Sequence, residues 1–435
     1  TDYTVVKTFR AEAFEKRACR HPLYDRASLL VLGDYVTLEA GTGCVHTAPG
    51  HGQDDYITGL KYGLEIYNPV DDYGRYHKDL EFFGGEKVPA VSPLVTDKLR
   101  EVGALLEEGK LSHSYPHCWR CKKPIIVRAT EQWFISMEAN ELRQKSLDHI
   151  NDVQWVPHWG RERIYNMIEN RPDWCISRQR TWGVPITVMY CKKCGEAVAD
   201  GKVMHHVADL FEEGGSDIWF EKEAKELVPD GTTCAACGHD DFEKEMDILD
   251  VWFDSGVSHA AVLEQKDQLQ TPADMYLEGS DQHRGWFHSS LLASVGTRDV
   301  APYKAVLTHG FVLDENGRPM SKSLGNVVAP EKVINKFGAE LLRLWVATQD
   351  YRNDTRVGDH ILQQVSESYR RIRNTARYIL GNISDFDPAT DTVAVSDMQE
   401  IDRWAVSRLE DLVERVEAAY DNYEFHLIYH AVHNF

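Results

Sequence analysis

"GFVLDENGRPMSKSLGNVVAPEKVINKFG" (Gly310–Gly338) packs a turn, a loop and a helix start into one run. Asp314 to Gly317 has turn composition. Met320, Ser321, Lys322 and Ser323 then place one lysine between two serines, on a loop closed by Gly325 and Asn326. The following "APEKVINKFG" opens a helix, with Pro330 early in it. One lysine among small hydroxyl residues suits transient binding of phosphate oxygens that gain charge in a transition state. The run is not a Walker A loop, which needs G-x-x-x-x-G-K-[ST]. A surface turn with a solvated lysine is the plainer alternative.

Outward from this run, the chain of 435 residues is too long for one ordinary domain and suggests roughly two to four. A hydrophobic content of 43% is ample for packed cores. No apolar run approaches membrane-spanning length and no signal-peptide pattern is present, so no membrane role and a cytoplasmic location are expected. Both ends read as cut. Thr1 is not a start methionine, and "DNYEFHLIYHAVHNF" stops inside a helical pattern, so a segment of a longer polypeptide is expected. The net charge of −21 argues against a generic nucleic-acid coat. It still allows an RNA bound by shape and local basic patches. The clearest such patch is "ESYRRIRNTARYIL" (Glu367–Leu380). On a helix Arg370, Arg373 and Arg377 share one face, while Val365, Tyr369, Ile372 and Ile379 lean toward another. An ordinary solvated face is the alternative.

Six of the nine cysteines fall in C-x-x-C pairs: Cys118/Cys121, Cys191/Cys194 and Cys234/Cys237. "YCKKCGE" and "TTCAACGHD" form a matched set, a zinc-ribbon pattern with a long loop between its halves, and a structural Zn2+ on four thiolates is expected there. A disulfide framework fits a large chain without a signal peptide poorly. "HCWRCKK" is a half-site whose partner ligands are expected upstream of Thr1. Cys19, Cys44 and Cys175 are expected to be buried and inert.

"GTGCVHTAPGHGQDDY" (Gly41–Tyr56) crowds two histidines and two aspartates together, which first suggests a metal. His46 and His51 are five apart with Pro49 and Gly50 between them, so they cannot share a helix face as a zincin pair does. "YVTLEAGTGCVH" reads as strand, glycine turn, strand. "DDYITGLKYGLE" has helical spacing, with Asp54 and Asp55 in its first turn. Two readings stand: two aspartates that merely cap a helix, or a pocket in which one aspartate holds a cationic amine and a histidine walls off space.

"PMSKSLGN" (Pro319–Asn326) resembles the K-M-S-K-S signature of class I aminoacyl-tRNA synthetases. "RPDWCISRQRTWGVPI" (Arg171–Ile186) resembles a stretch shared by their branched-aliphatic members. "YLEGSDQHRGWFHSSLL" (Tyr276–Leu292), "DILDVWFDSG" (Asp247–Gly256) and "GSDIWF" (Gly215–Phe220) are similar to the bacterial-type isoleucyl enzymes. The likeness covers nearly the whole chain.

That resemblance implies ATP-dependent activation of isoleucine and its transfer to the isoleucine tRNA, with Mg2+ accompanying ATP. It implies Glu278, Asp281 and Gln282 at the amino acid's ammonium and the adenylate, and Trp252 and Trp286 as apolar walls. Lys322 would stabilise the phosphates, shaped by Met320, Ser321 and Ser323, with His309 and Gly310 on the strand feeding the loop. The Gly41–Tyr56 run resembles the core of the family's editing pocket, which hydrolyses mischarged valyl-tRNA. Asp55 would hold the α-ammonium and His46 would narrow the pocket. Gly41, Thr42 and Thr47 would let backbone approach the terminal ribose. Two departures matter. Pro319 replaces the loop's first lysine, so weakened phosphate binding is expected. No H-x-G-H and no threonine-rich segment occurs, so the isolated chain is expected not to aminoacylate.

The fold expected is α/β. Residues 1–110 would be part of a β-rich editing insertion and 111–155 a connection carrying the Cys118/Cys121 half-site. Residues 156–310 would be the second half of a Rossmann-type catalytic domain, with the zinc ribbon inserted at 188–245. The M-S-K-S loop and stem-contact helices would occupy 311–394, and a helical anticodon-binding domain would start at 395–435. There Ala405, Leu409, Leu412, Val413, Val416 and Tyr420 keep one face. A monomer is expected. The competing readings are a free-standing editing hydrolase and a non-enzymatic zinc-ribbon protein that binds RNA.

Overall fold

A computed structural model describes residues 4–37, 42–110, 112–118 and 120–435. The chain forms two units, one ending at Gln132 and the other starting at Trp133.

In the first unit β1 (Ala18–Arg20) pairs antiparallel with β2 (Ala27–Leu29). Two ten-residue helices follow, α1 (Gln53–Tyr62) and α2 (Ser92–Glu101). α1 starts where expected. Gly52 is an extended N-cap, Asp54 and Asp55 sit at the positive end of the helix dipole, and Gly63 closes it at φ 65°. The strand–turn–strand reading of Tyr35–His46 fails among the described residues: 35–37 and 42–46 join no ladder. Beyond β1 and β2, pairing in this unit consists of isolated bridges such as Val70–Tyr76 and Arg75–Lys87. Frequent glycine and proline interrupt each run before a ladder can propagate.

The second unit holds the α/β core. β3 (Phe134–Ile135), α3 (Leu142–Asp152), β4 (Gln154–Val156), α4 (Trp159–Glu169), β5 (Trp174–Cys175) and β6 (Ser177–Arg178) lead in. The insert follows, with β7 (Met189–Cys191), β8 (Ala197–Val198), α5 (Gly201–Gly214), α6 (Ile218–Glu221) and β9 (Phe242–Lys244). Then come β10 (Ile248–Leu249), α7 (Val251–Gly256), β11 (Tyr276–Gly279), α8 (Trp286–Arg298) and β12 (Ala305–His309). β11, β12 and β4 form a parallel sheet in that order, with Glu278 opposite Thr308 and Gly279 opposite His309. Ala305 to Thr308 are all buried, as expected of a strand covered on both faces. α8 buries nine consecutive residues, Phe287 to Val295, and joins Trp155, Ile164, Tyr276 and Tyr303 in one core.

The insert is a unit of its own kind. β8, β7 and β9 form an antiparallel sheet, and Met189, Val207, Trp219 and Leu227 are fully buried in a separate core. After β12 come β13 (Val312–Leu313), α9 (Pro330–Phe337), α10 (Ala339–Thr348), β14 (Thr355–Arg356) and α11 (Asp359–Asn382). A third core of Val333, Leu341, Trp345 and Leu362 binds these helices together. α11 turns Val365 and Tyr369 inward and leaves Arg370, Arg373 and Arg377 exposed. α12 (Glu400–Asp421) and α13 (Phe425–Asn434) finish the chain. The apolar stripe expected on α12 forms, but Leu409, Val413 and Tyr420 stay about half exposed.

Phe287→Ala removes a fully buried ring from the main core and should cost about 3–5 kcal/mol in chemical denaturation. Tyr378→Ala, on the exposed side of α11, should stay within about 0.5 kcal/mol.

Candidate active site and metal centre

Glu278 and Gly279 end β11, and the chain then turns through Ser280–Arg284 into α8. His309, at the end of the adjacent parallel strand, lies opposite Gly279. A Cβ on Gly279 would lie 2.8 Å from Asp281 Oδ1 and 3.5 Å from His309 Cε1, so both side chains lie close over this glycine. Gln282 Oε1 accepts the Trp286 N–H (3.0 Å) and fixes the start of α8. A Cβ on Gly285 would come within 2.7 Å of the Trp252 ring, which places that indole over the same turn. Gly310 lies against the Asn353 backbone. Thus Glu278, Asp281, Gln282, Trp252, Trp286, His309 and Gly310, far apart in sequence, gather at the ends of two parallel strands. Sequence reasoning missed the support beneath them. Tyr276 stacks on Trp286 (3.9 Å between centroids), and Trp286 Nε1 donates to Ser255 O and Ser258 Oγ, both at 3.0 Å. Asp250 is buried, caps α7 at the Trp252 N–H and pairs with Arg178 (2.9 Å).

The Met320–Ser323 loop hangs from a clasp that composition did not reveal. Leu313 bridges Pro319 around the expected turn at Asp314–Gly317. Asp314, 6% exposed, accepts Asn326 Nδ2 (2.9 Å) and Arg318 Nε (3.0 Å), and its other oxygen takes the N–H groups of Asn316 and Arg318. Asn326 Oδ1 in turn accepts the Ser321 N–H (2.9 Å). The Asn326 amide and the Arg318 N–H hold the Asp314 carboxyl down to about 2. Ser321 and Ser323 hydroxyls meet at 3.1 Å, and Met320 packs on the helical core. Lys322 stands exposed at the tip.

Four thiols form the candidate metal centre. The Sγ atoms of Cys191, Cys194, Cys234 and Cys237 lie within 4.8 Å of one another, with Cys191–Cys237 and Cys194–Cys234 each at 3.6 Å. Tetrahedral zinc–thiolate geometry sets sulfur atoms about 3.8 Å apart, so the cluster fits that ion. Each half is the same knuckle: the Gly195 N–H bonds Cys191 O and the Gly238 N–H bonds Cys234 O, both at 2.8 Å. Gly195 and Gly238 take φ 74° and 70°, which favours glycine at both places. Burial pushes the Cys191 thiol up, but the Cys194 and Lys193 N–H groups outweigh it and hold it down to about 6. The Glu196 N–H pulls Cys194 down, and the neighbouring thiols of Cys237 and Cys191 override it and push it up to about 12. Crowded sulfurs that cannot all ionise alone are what a cation resolves.

Cys118 and Cys121 build a third such knuckle. The Lys122 N–H bonds Cys118 O and the Cys118 N–H bonds Lys123 O, both at 2.8 Å, with Lys122 at φ 59° in the glycine position. Among the described residues it gathers no further ligands. Cys19 and Cys44 are exposed and Cys175 half-buried, which corrects the expectation that all three are buried. In the first unit Val70, Phe83 and Val91 are buried, whereas Cys19 and Cys44 stay exposed.

In the Gly41–Tyr56 run, Gly41 lies outside the described residues. Asp55 folds back over the helix start: a Cβ on Gly52 would lie 2.6 Å from Asp55 Oδ2. Asp54 points to solvent. His46 is exposed and close enough to His21 to depress that imidazole further, after burial and Arg26. Thr42 Oγ1 accepts the Cys44 N–H (3.3 Å), and Thr47 is half-buried. His51, unassigned from sequence, is structural: its Nδ1–H donates to Val127 O (3.0 Å). His46 and Asp55 share no hydrogen bond among the described residues.

Removal of metal by a chelator should raise hydrogen exchange and proteolysis across 188–245, reversed by Zn2+; unchanged exchange would overturn the metal assignment. The folded Asp314 carboxyl lies below its ordinary 3.8, so its hold on the loop is present above that pH and is lost as pH falls through about 2. Asn326→Ala should move the Asp314 titration back toward 3.8, read by carboxyl NMR.

The family model for tRNA synthetases class I (I, L, M and V) matches residues 8–358. An isoleucine–tRNA ligase of Syntrophotalea carbinolica is 73% identical over 434 residues, 100% of this chain and 47% of that protein. One from Geobacter sulfurreducens is 68% identical over 431 residues, 99% of this chain and 47% of that protein. The chain therefore spans about half the length of these relatives. A methionyl-tRNA synthetase of Mycobacterium tuberculosis, solved with methionyl-adenylate, aligns at a TM-score of 0.48 and 18% identity, over 73% of this chain and 53% of that one. With the family model spanning both the parallel sheet and the M-S-K-S loop, the chain belongs to the class I tRNA synthetases.

Proposed function

We propose that the chain is the part of an isoleucine–tRNA ligase that closes the ATP and isoleucine site and carries part of an editing site. The observation behind this is the gathering of Glu278, Asp281, Gln282 and His309 at the carboxyl ends of adjacent parallel strands, where open α/β sheets bind nucleotides. The carboxylates take the ammonium of isoleucine and the adenylate hydroxyls, and Trp252 and Trp286 wall its side chain. The isoleucine carboxylate attacks the α-phosphorus of ATP in line, and the bond to pyrophosphate breaks. Catalysis is mainly positioning, with Lys322 neutralising charge on the departing pyrophosphate and Mg2+ arriving with ATP. The acyl group then passes to the terminal ribose of the isoleucine tRNA and AMP leaves. Pro319 leaves Lys322 as the cation of this loop's tip, and the Asp314 clasp holds the loop in reach.

One methylene discriminates weakly in a single binding step, isoleucine against valine being the established case, so a second site removes the wrong product. In this reading Asp55 holds the α-ammonium of a valyl ester by a charge-assisted hydrogen bond and His46 narrows the space. Thr42 and Thr47 border the ribose. Zn2+ on Cys191, Cys194, Cys234 and Cys237 is structural, and Cys118/Cys121 contribute half of a second site. Arg370, Arg373 and Arg377 offer α11 to an RNA backbone. The working enzyme is a cytoplasmic monomer.

The test uses the full-length polypeptide from its native source. It should exchange pyrophosphate into ATP only with isoleucine present, and Lys322→Ala should lower that rate by about 10²–10³. Asp55→Ala should leave exchange intact and let valyl-tRNA accumulate. The 435-residue chain alone should not aminoacylate. Valyl-tRNA clearance without any exchange would overturn the ligase reading.

A further inference from the structure

A cavity of about 610 Å³ beside α4 carries a charge pattern that the strand-end residues do not use. Arg163, Asn166, Asn170, Arg171, Arg284 and His288 line it, and no carboxylate does among the described residues. None of these arginines is in an ion pair among the described residues. Asp250, whose charge reaches Arg171, is committed to Arg178. Arg171 Nε is buried without a hydrogen-bond partner. His288 is only 5% exposed; its ring bonds the His283 carbonyl, and its Nε2 has no partner. Arg163 and Arg284 are exposed to solvent and Arg171 lies over the Trp174 ring, so the penalty falls on the two buried nitrogens, Arg171 Nε and His288 Nε2, which have no partner among the described residues and which a ligand in the cavity would answer.

We infer that this cavity binds a phosphate group that still carries a P–OH, either inorganic phosphate or a phosphate monoester. The arginine N–H groups, with the amides of Asn166 and Asn170, suit the anionic oxygens, and guanidinium forks bind such oxygens in pairs. The P–OH donates to His288 Nε2, which as the free nitrogen of a neutral ring accepts one hydrogen bond. Burial, then the charge of Arg171, hold that imidazole down to about 3, so the ring is neutral at working pH. Sulfate and phosphodiesters have the charge but no such proton. They leave Nε2 unanswered and face its lone pair, so the site selects against them.

The experiment titrates sodium phosphate into the protein by calorimetry at pH 6, where about half of a phosphate monoester still carries its P–OH, with sodium sulfate and AMP in parallel. Phosphate should bind in the millimolar range or tighter and sulfate at least about tenfold more weakly, the worth of one hydrogen bond to a buried group. Arg163→Gln with Arg284→Gln, both exposed positions, should weaken phosphate binding at least about tenfold while circular dichroism and the melting temperature stay unchanged. AMP binding that is tighter than phosphate and lost in the same double variant makes a nucleoside monophosphate the source. AMP binding indifferent to those substitutions leaves free phosphate. Absence of phosphate binding, equal binding of sulfate, or binding that survives the double substitution would overturn the assignment.

Discussion

The parallel pairing of Tyr276–Gly279 with Ala305–His309 is the constraint on which the second unit rests. It sets Gly279 opposite His309, and with that register Asp281, Gln282 and both indoles come to one place. A register slip of one residue would send His309 to the other face of the sheet. α8 holds the register, because its buried run from Phe287 to Val295 fills the space over the strands. Tyr303 ties the two together by donating its hydroxyl hydrogen to Phe287 O at 3.0 Å.

Function is distributed over parts with different rigidity. The strand ends are built on the deepest core. The M-S-K-S loop is held by a few polar bonds through Asp314 and Asn326, which is enough order to present Lys322 and leave it free to move. The insert has its own small core and brings four sulfurs together. In an insert of this size, a metal on those sulfurs would do what a larger hydrophobic core otherwise does.

Part of the candidate site's geometry was legible because it is local. C-x-x-C spacing announces a knuckle, and the structure adds that three of them share the same backbone bonds, one with Lys122 where the others have glycine. The turn at Asp314–Gly317 and the helix at Pro330 were readable from short-range preferences. The clasp was not: Asp314 and Asn326 are unremarkable as residue types, and their role exists only once the loop closes. The same holds for Tyr276 beneath Trp286 and for His51, whose partner Val127 lies 76 residues away. Among the described residues the strands expected on either side of Gly41 do not form, for the opposite reason, since alternation in one segment does not supply a partner strand.

By itself the sequence determined the α/β class, the pairing of cysteines into knuckles, the helix starts and the family resemblance, all consequences of residue type and short spacing. The tertiary structure decided which of the many aspartates and histidines lie together. Burial, register and the close approach permitted by Gly279 and Gly285 arise from contacts between distant segments. It also decided which cations lack carboxylate partners, as around His288, because ion pairing depends on where folding leaves each side chain.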